Sequence, residues 1–411
     1  MRKSSLSHIA YLIVLFGLVL SCSSKKDDAI AEEVIIKVTN PLSEPREAVL
    51  FTIPGERIAV LDGTFFRVYN GEREIPSQLL SNKGEHQLTC LLENVKADET
   101  IELRIVSSVE EPTYSKRTQA ELSHKTGGRF ENREYIGGQF QNVDSLHVPA
   151  EHTDHSWFIR YEGPGWESDR VGYRFYLDWR NGIDVFGKKV ATPVLQEVGQ
   201  DGFDSYHEPA SWGMDILKVG KTLGLGSIAH WVDGKAQRVE VTDSLYAEVA
   251  ENGSIYSAIT TRYYGWQIGG LKTDLESKIS IHAGTRMSRM ELSSSEALPN
   301  LATGLIKDSK AELVASDQSQ QFSYIATFGP QSLAGDQLGI AVLFPTDQLM
   351  EMTEDELSHV VVLKPEGGKS LTYYFLAAWE QEPEGIKDKA AFVAYLDRMV
   401  LELSNPVVTT D

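Results

Sequence analysis

The chain has 411 residues, a formal net charge of −20 and 41% hydrophobic content, enough to bury one large core or two moderate ones. That acidity, without a Lys/Arg cluster to meet phosphates, excludes nucleic acid as a partner. Two cysteines exclude a disulfide framework, and the absence of GxGxxG, P-loop and βαβ alternation excludes a nucleotide-binding α/β fold.

Met1-Arg2-Lys3, the apolar run Ile9 to Leu20 and Val19-Leu20-Ser21-Cys22 have the order of a lipoprotein export signal over 1–22, with Cys22 as the lipidated residue. The run is too short for a membrane span. The polar stretch 23–33 reads as a disordered tether, so the expected location is the cell envelope, lipid-anchored at its periplasmic face or outer-membrane surface.

From 34 to 109 the chain reads as short strands (VIIKVTN, EAVLFTI, FFRVYNG, HQLTCLLENV, TIELRIVSS) separated by Pro, Gly and Asn turns. Alternating apolar positions in runs of this length predict a small antiparallel sandwich. It carries no cluster of ionisable residues and reads as a packing domain. After the polar linker 110–119, strand signals resume over 120–405, among them VGYRFYLDW, IYSAITTRYYGW, DLESKISIHAG, LGIAVLF and SLTYYFLAAW. So many strands with so few helical gaps predict large antiparallel sheets packed face to face. One helix is expected near Lys387 to Leu403, where Phe392, Leu396, Met399, Val400 and Leu403 recur at helical spacing and Asn405-Pro406 stops the pattern. The fold class is therefore all-β, a small sandwich followed by a large antiparallel domain with a C-terminal helix.

Residues His147 to Lys188 hold three His, four Arg, three Trp and three Tyr beside several carboxylates, and Ser205 to Asp215 repeats that mixture. Cores favour apolar atoms and solvated faces favour Lys and Glu, whereas this mixture suits a bound polar ring such as a sugar. His147, His152 and His155 lie in a loop expected to lead into a strand, SWFIRY, and histidine is suited to proton transfer near neutral pH. Trp166, in the Gly/Pro loop GPGWE, is expected at the lip of a pocket, with Trp212 and Tyr206 as further sugar-facing rings. Glu162, Glu167, Asp178, Asp184 and Asp215 are the carboxylates a two-carboxylate hydrolase would draw on. No cofactor is expected. The alternative is zinc, held by His152, Asp154 and His155 with His207 or Glu208, or calcium in the 201–204 turn.

The stretch GPGWESDRVGYRFYLDWRNGIDVFGK, the segments SYHEPASWGMDILKVG and LGLGSIAHW, and the helix-Asn-Pro ending together resemble the Bacteroidota lipoprotein family labelled domain of unknown function 4861. The resemblance extends over nearly all of the chain after the tether. It implies a part in degrading uronic-acid-containing polysaccharides, as an ulvan-type oligosaccharide dehydratase, and an architecture similar to the supersandwich of mutarotase-like proteins and polysaccharide lyases.

The reaction this implies removes water from a non-reducing-end uronic acid to leave a 4,5-unsaturated sugar. On the residues alone, Arg160, Arg170 or Arg174 would bind the carboxylate, and His147 or His152 would take the C5 proton. Tyr161, Tyr173 or His207 would protonate the departing hydroxyl, while Glu162 or Asp184 would orient the histidine. The rivals are a lyase that cleaves the chain, a two-carboxylate hydrolase and a non-catalytic glycan-binding lipoprotein. The expected partner is an anionic oligosaccharide, and no oligomeric state is read from the sequence.

Overall fold

The computed structural model describes residues 33–82, 85–202 and 205–410. The expected signal over 1–22, its Cys22 and the tether up to residue 32 lie outside the described residues. No described helix is long and apolar enough to cross a membrane.

Strands Glu33–Thr39, Thr100–Ser108, Phe65–Asn70 and Arg73–Ile75 form one antiparallel sheet, and Arg46–Pro54, Glu85–Val95 and Ser77–Asn82 a second. Side chains alternate between faces of a strand, so Ile101, Leu103 and Ile105 all point inward to meet Ile36, Val38, Val68, Phe51 and Cys90 in one apolar cluster. The chain end returns to this layer. Val408–Thr410 pairs along Glu33–Thr39, with Lys37 opposite Thr410, a short edge addition that three residues cannot announce.

Beyond it stands a nine-stranded antiparallel sheet in the order Ser145–His147, Ser244–Asn252, Tyr256–Ile268, Leu271–His282, Met287–Ser294, Ser370–Trp379, Leu338–Pro345, Phe322–Gly329 and Glu312–Ala315. Two five-stranded sheets share its main core. One runs Gly213–Asp215, Ile183–Lys188, Val171–Phe175, Gly165–Ser168, Thr118–Glu121, and the other Lys235–Arg238, Ala229–Val232, Leu301–Ile306, Ser358–Leu363, Leu349–Glu354. The expected all-β class and sheet-on-sheet packing are what the structure has. Helix Lys389–Ser404, capped by the Asp388 carboxylate accepting from the Ala391 amide at 2.9 Å, lays Phe392, Leu396 and Val400 on the opposite face of the nine-stranded sheet, against Tyr324, Ala326 and Leu376.

Trp166 corrects a sequence expectation. It is fully buried between the sheets, stacked on Tyr173 at 5.6 Å, with its indole N–H donated to the Ser288 hydroxyl at 2.9 Å. The Gly/Pro loop that suggested a pocket lip ends at Gly165, where strand Gly165–Ser168 begins and points the indole inward. Tyr173 is core as well, donating to the Arg286 carbonyl at 2.6 Å and accepting from the Ala377 amide at 3.0 Å. Trp166→Ala should therefore cost about 3–5 kcal/mol of stability through the cavity it leaves, read as a lowered midpoint in a denaturant titration; a shift near zero would contradict this placement.

Candidate functional site

The first five-stranded sheet has two unlike faces. Ala120, Trp166, Tyr173, Phe175, Ile183 and Val185 point into the core, so Glu121, Gly165, Arg174, Asp184, Phe186 and Asp215 point to the other side. Register places Gly165 opposite both Glu121 and Arg174, and Arg174 opposite Asp184, which makes one row of charges across three strand boundaries. A Cβ on Gly165 would come within 2.5 Å of the Tyr161 phenolic oxygen, so glycine here lets Tyr161 lie across the sheet. That phenol donates to Glu121 Oε1, the same oxygen that Arg160 Nη2 contacts.

The polar face is roofed by residues 195–202 and 205–212, with Leu195, Val198 and Tyr206 packed on Tyr161 and Phe186 and Trp212 at their edge. Arg160 Nη1 donates to the carbonyls of Leu195, Gln196 and Val198 at 3.3, 2.7 and 3.3 Å. Glu167, paired with Lys188 at 2.6 Å, accepts from the amides of Val194 and Leu195 at 2.7 and 2.8 Å. These bonds satisfy charges that would be costly to bury alone.

Arg174 is the hub beneath the roof. Its guanidinium reaches Asp184 Oδ2 at 2.7 Å, Asp215 Oδ2 at 2.5 Å and the Tyr206 hydroxyl at 2.9 Å, and lies 3.8 Å from Glu162 Oε2. Tyr176 also donates to Asp184 Oδ2 at 2.5 Å. Burial, then the charge of Asp184, pushes the Asp215 carboxyl well above the usual carboxylate range, against the pull of Arg174. Burial likewise pushes the Tyr206 phenol up despite Arg174, so it stays protonated. His207 Nε2 is 3.5 Å from Asp215 Oδ2, and its ring lies 4.6 Å from that of Tyr206.

At the open side, Phe140, His155, Trp157, Ile159, Tyr161, Glu162, Gly199, Gly202 and Tyr206 line a narrow cleft of about 10 Å³, room for about one water, so a sugar would lie at its mouth. The expected strand SWFIRY does not form. Four residues there have left-handed backbone, His155 (φ 58°), Trp157 (61°), Tyr161 (36°) and Glu162 (72°), and Arg160–Glu162 is a single 3₁₀ turn. Alternation of Trp157, Ile159 and Tyr161 imitates a strand, but tertiary bonds to Glu121, Arg174 and Arg180 overrule it. Strain of this kind, held by surrounding structure, gathers where geometry serves function.

His155, half exposed, places Nδ1 2.5 Å from Asp154 Oδ1, and its amide donates to Glu162 Oε1 at 3.1 Å. Arg180 bridges Asp154, Glu162 and Asp178 at 2.9, 2.8 and 2.5 Å. Burial alone would raise the Glu162 carboxyl, but Arg174 and Arg180 outweigh it and hold it below the usual range. Glu162 therefore stays an anion. Asp154, His155 and Glu162 offer atoms within 4.8 Å of one another, a spacing fit for a cation. The positive charge there is supplied by Arg180, so the residues present do not call for a metal. The alternative set His152, His155 and His207 is not brought together, since His207 faces Asp215. Of the 201–204 turn, Phe203 and Asp204 lie outside the described residues.

Other expected site residues fall elsewhere. His147 is exposed on an edge strand beside Tyr246, with ring centroids 4.7 Å apart, because the chain there adds to the nine-stranded sheet. Arg170 pairs with Glu384 at 2.9 Å, away from the cleft. Arg160 and Arg174 are buried and neutralised by the chain's own carboxylates rather than open to a ligand. Sequence reasoning left out Glu121 and Tyr176; the part of Glu121 depends on Arg160 and Tyr161, some forty residues further along the chain.

His152 is buried, its Nδ1 2.8 Å from the Ser156 hydroxyl and its Nε2 without a hydrogen-bond partner among the described residues. Burial lowers its pKa, partly offset by Asp178 and Glu162. The unfolded chain thus takes up the proton first as pH falls below about 6.5, and the stability carried by the neutral ring is lost with acidification. His152→Gln should flatten the stability curve below that pH relative to the parent, measured by denaturant unfolding across a pH series; parallel curves would contradict this.

A family model described as Domain of unknown function (DUF4861) matches residues 38–408. No curated protein matches the chain. Among solved structures, a protein in the glycosyl hydrolase family 38 from Enterococcus faecalis is similar at 6% identity and a TM-score of 0.43, covering 92% of this chain and 47% of its own. An alpha-mannosidase from Enterococcus faecalis V583 is similar at 6% identity and a TM-score of 0.45, covering 92% and 46%. The chain spans about half the length of these structures.

Proposed function

The chain belongs to the family described as Domain of unknown function (DUF4861), and from that premise we propose that it is a carbohydrate-active enzyme which eliminates water from a terminal uronic acid of acidic oligosaccharides. The observation that carries this reading is the His155–Asp154 pair at the mouth of a cleft that also holds Trp157 and the protonated Tyr206. A carboxylate on Nδ1 fixes the tautomer of the imidazole and leaves Nε2 as the atom that can accept a proton. Trp157 offers an aromatic face to a sugar ring.

In the proposed reaction His155 takes the proton from C5, the C–H pair becomes the C4–C5 double bond, and the C4–O bond breaks. Tyr206, whose hydroxyl is buried, passes its phenolic proton through a bridging water to the departing oxygen, which leaves as water. Arg174, donating to the phenolic oxygen, stabilises the phenolate that forms until the proton taken up by His155 is released to solvent and one returns from solvent to Tyr206. Glu162 is the one carboxylate among the described residues lining this cleft, and it is held ionised, so it lacks the proton a hydrolase acid must give. That disfavours the two-carboxylate hydrolysis that sequence alone left open. With a lipid on Cys22, this chemistry would take place at the cell envelope.

Mixing the purified protein with glucuronyl- and iduronyl-terminated oligosaccharides should raise ultraviolet absorbance as the conjugated alkene forms. Flat traces with both sugars would remove the reading.

A further inference from the structure

The three arginines expected to bind a substrate carboxylate, Arg160, Arg170 and Arg174, are engaged by glutamates and aspartates of the chain itself. An acidic sugar still requires a cation, and the hairpin Ser123–Glu131 and Glu134–Asn142 brings one to the cleft. Lys125 stands opposite Phe140 in the register, on the same face, and its ammonium lies 5.3 Å from the centre of that ring. Phe140 lines both the cleft below His155 and an adjoining groove of about 460 Å³, whose other walls are Lys125, Gly138, Gln139, Gln200, Asp201 and Gly202.

The hairpin is fixed in this position. The Lys125 amide donates to the Phe158 carbonyl at 2.8 Å, and Phe130 and Tyr135 pack on Phe158 at 5.2 and 5.1 Å. Phe158 follows Trp157 directly, so groove and cleft are walls of one structure. Lys125 forms no ion pair among the described residues. Burial alone acts on its ammonium, lowering its pKa, with no carboxylate opposing that shift. Asp201, on the far wall, accepts from the Ser205 hydroxyl at 2.5 Å and can take hydrogen bonds from sugar hydroxyls.

Resting on the proposed dehydration, we infer that Lys125 anchors the carboxylate of the bound uronic acid in this groove, with Phe140 as the ring surface that turns the same sugar toward His155. An anchor of this kind acidifies C5 by withdrawing charge from the carboxylate as the proton leaves. Lysine serves as a point charge, so arginine should replace it in part.

Calorimetric titration separates this inference from the proposal it rests on. The parent, Lys125→Gln and Lys125→Arg are each titrated with a uronate-terminated oligosaccharide and with the same sugar carboxyl-reduced to a neutral alcohol. The parent should prefer the acid about tenfold or more, K125Q should lose that preference, and K125R should keep part of it. Equal binding of the two sugars by the parent, or an undiminished preference in K125Q, overturns the anchor. Lysine-dependent binding without any alkene formation by the parent would leave the anchor standing and sink the dehydration instead.

Discussion

His155→Asn is expected to reduce turnover of uronate-terminated oligosaccharides by on the order of 10²- to 10⁴-fold while leaving the thermal midpoint nearly unchanged. The choice of asparagine follows from the backbone, because His155 sits at φ 58° and asparagine tolerates that region better than alanine. Asp154 keeps its partner Arg180 in the variant, so little structural loss should accompany the chemical one. Initial rates of alkene formation, with a melting curve on the same sample, decide the matter. A rate within twofold or so of the parent's would move the base away from His155.

Arg174→Met should be the most destabilising single change at the site, at about 3–5 kcal/mol near neutral pH, because it leaves Asp184 and Asp215 buried side by side without their common cation. The pH dependence gives the cause a signature. Asp215 already titrates well above the usual range, and a group raised on folding stabilises the native state below its unfolded pKa and loses that contribution as pH rises through the folded one. Removing Arg174 raises it further. The deficit of the variant against the parent should therefore shrink below about pH 4, where the Asp215 carboxyl is protonated in folded and unfolded chains alike. Paired unfolding curves at neutral and acid pH test it, and a deficit independent of pH would point to lost packing on Tyr176, Phe186 and Tyr206 instead.

The strands and the C-terminal helix were legible because burial imposes a period on the sequence. Thr100–Ser108 alternates strictly, and Phe392, Leu396 and Val400 recur four apart. The hairpin at 123–142 was not, since its second strand is almost wholly exposed and is broken by Gly137-Gly138, which leaves no apolar alternation to read. Of the residues the sequence singled out, Tyr161, Glu162, Arg174, Asp184, Tyr206, His207 and Trp212 are brought together around the polar face that holds Arg174. Direction was what the residues withheld. An arginine between Tyr173 and Phe175 in a strand must face away from the core, yet only the roof at 195–202 and 205–212 makes that face an interior, and that roof is a tertiary fact. The same holds for Arg160, whose partner Glu121 ends a strand, Thr118–Glu121, that straddles the expected linker boundary at 119.

Mass spectrometry of the products from a purified uronate-terminated oligosaccharide tests the central claim most directly. Dehydration predicts a product lighter by one water with its chain length unchanged, formed by the parent and not by H155N. Shortened fragments, or an unaltered substrate after prolonged incubation with folded protein, would contradict it.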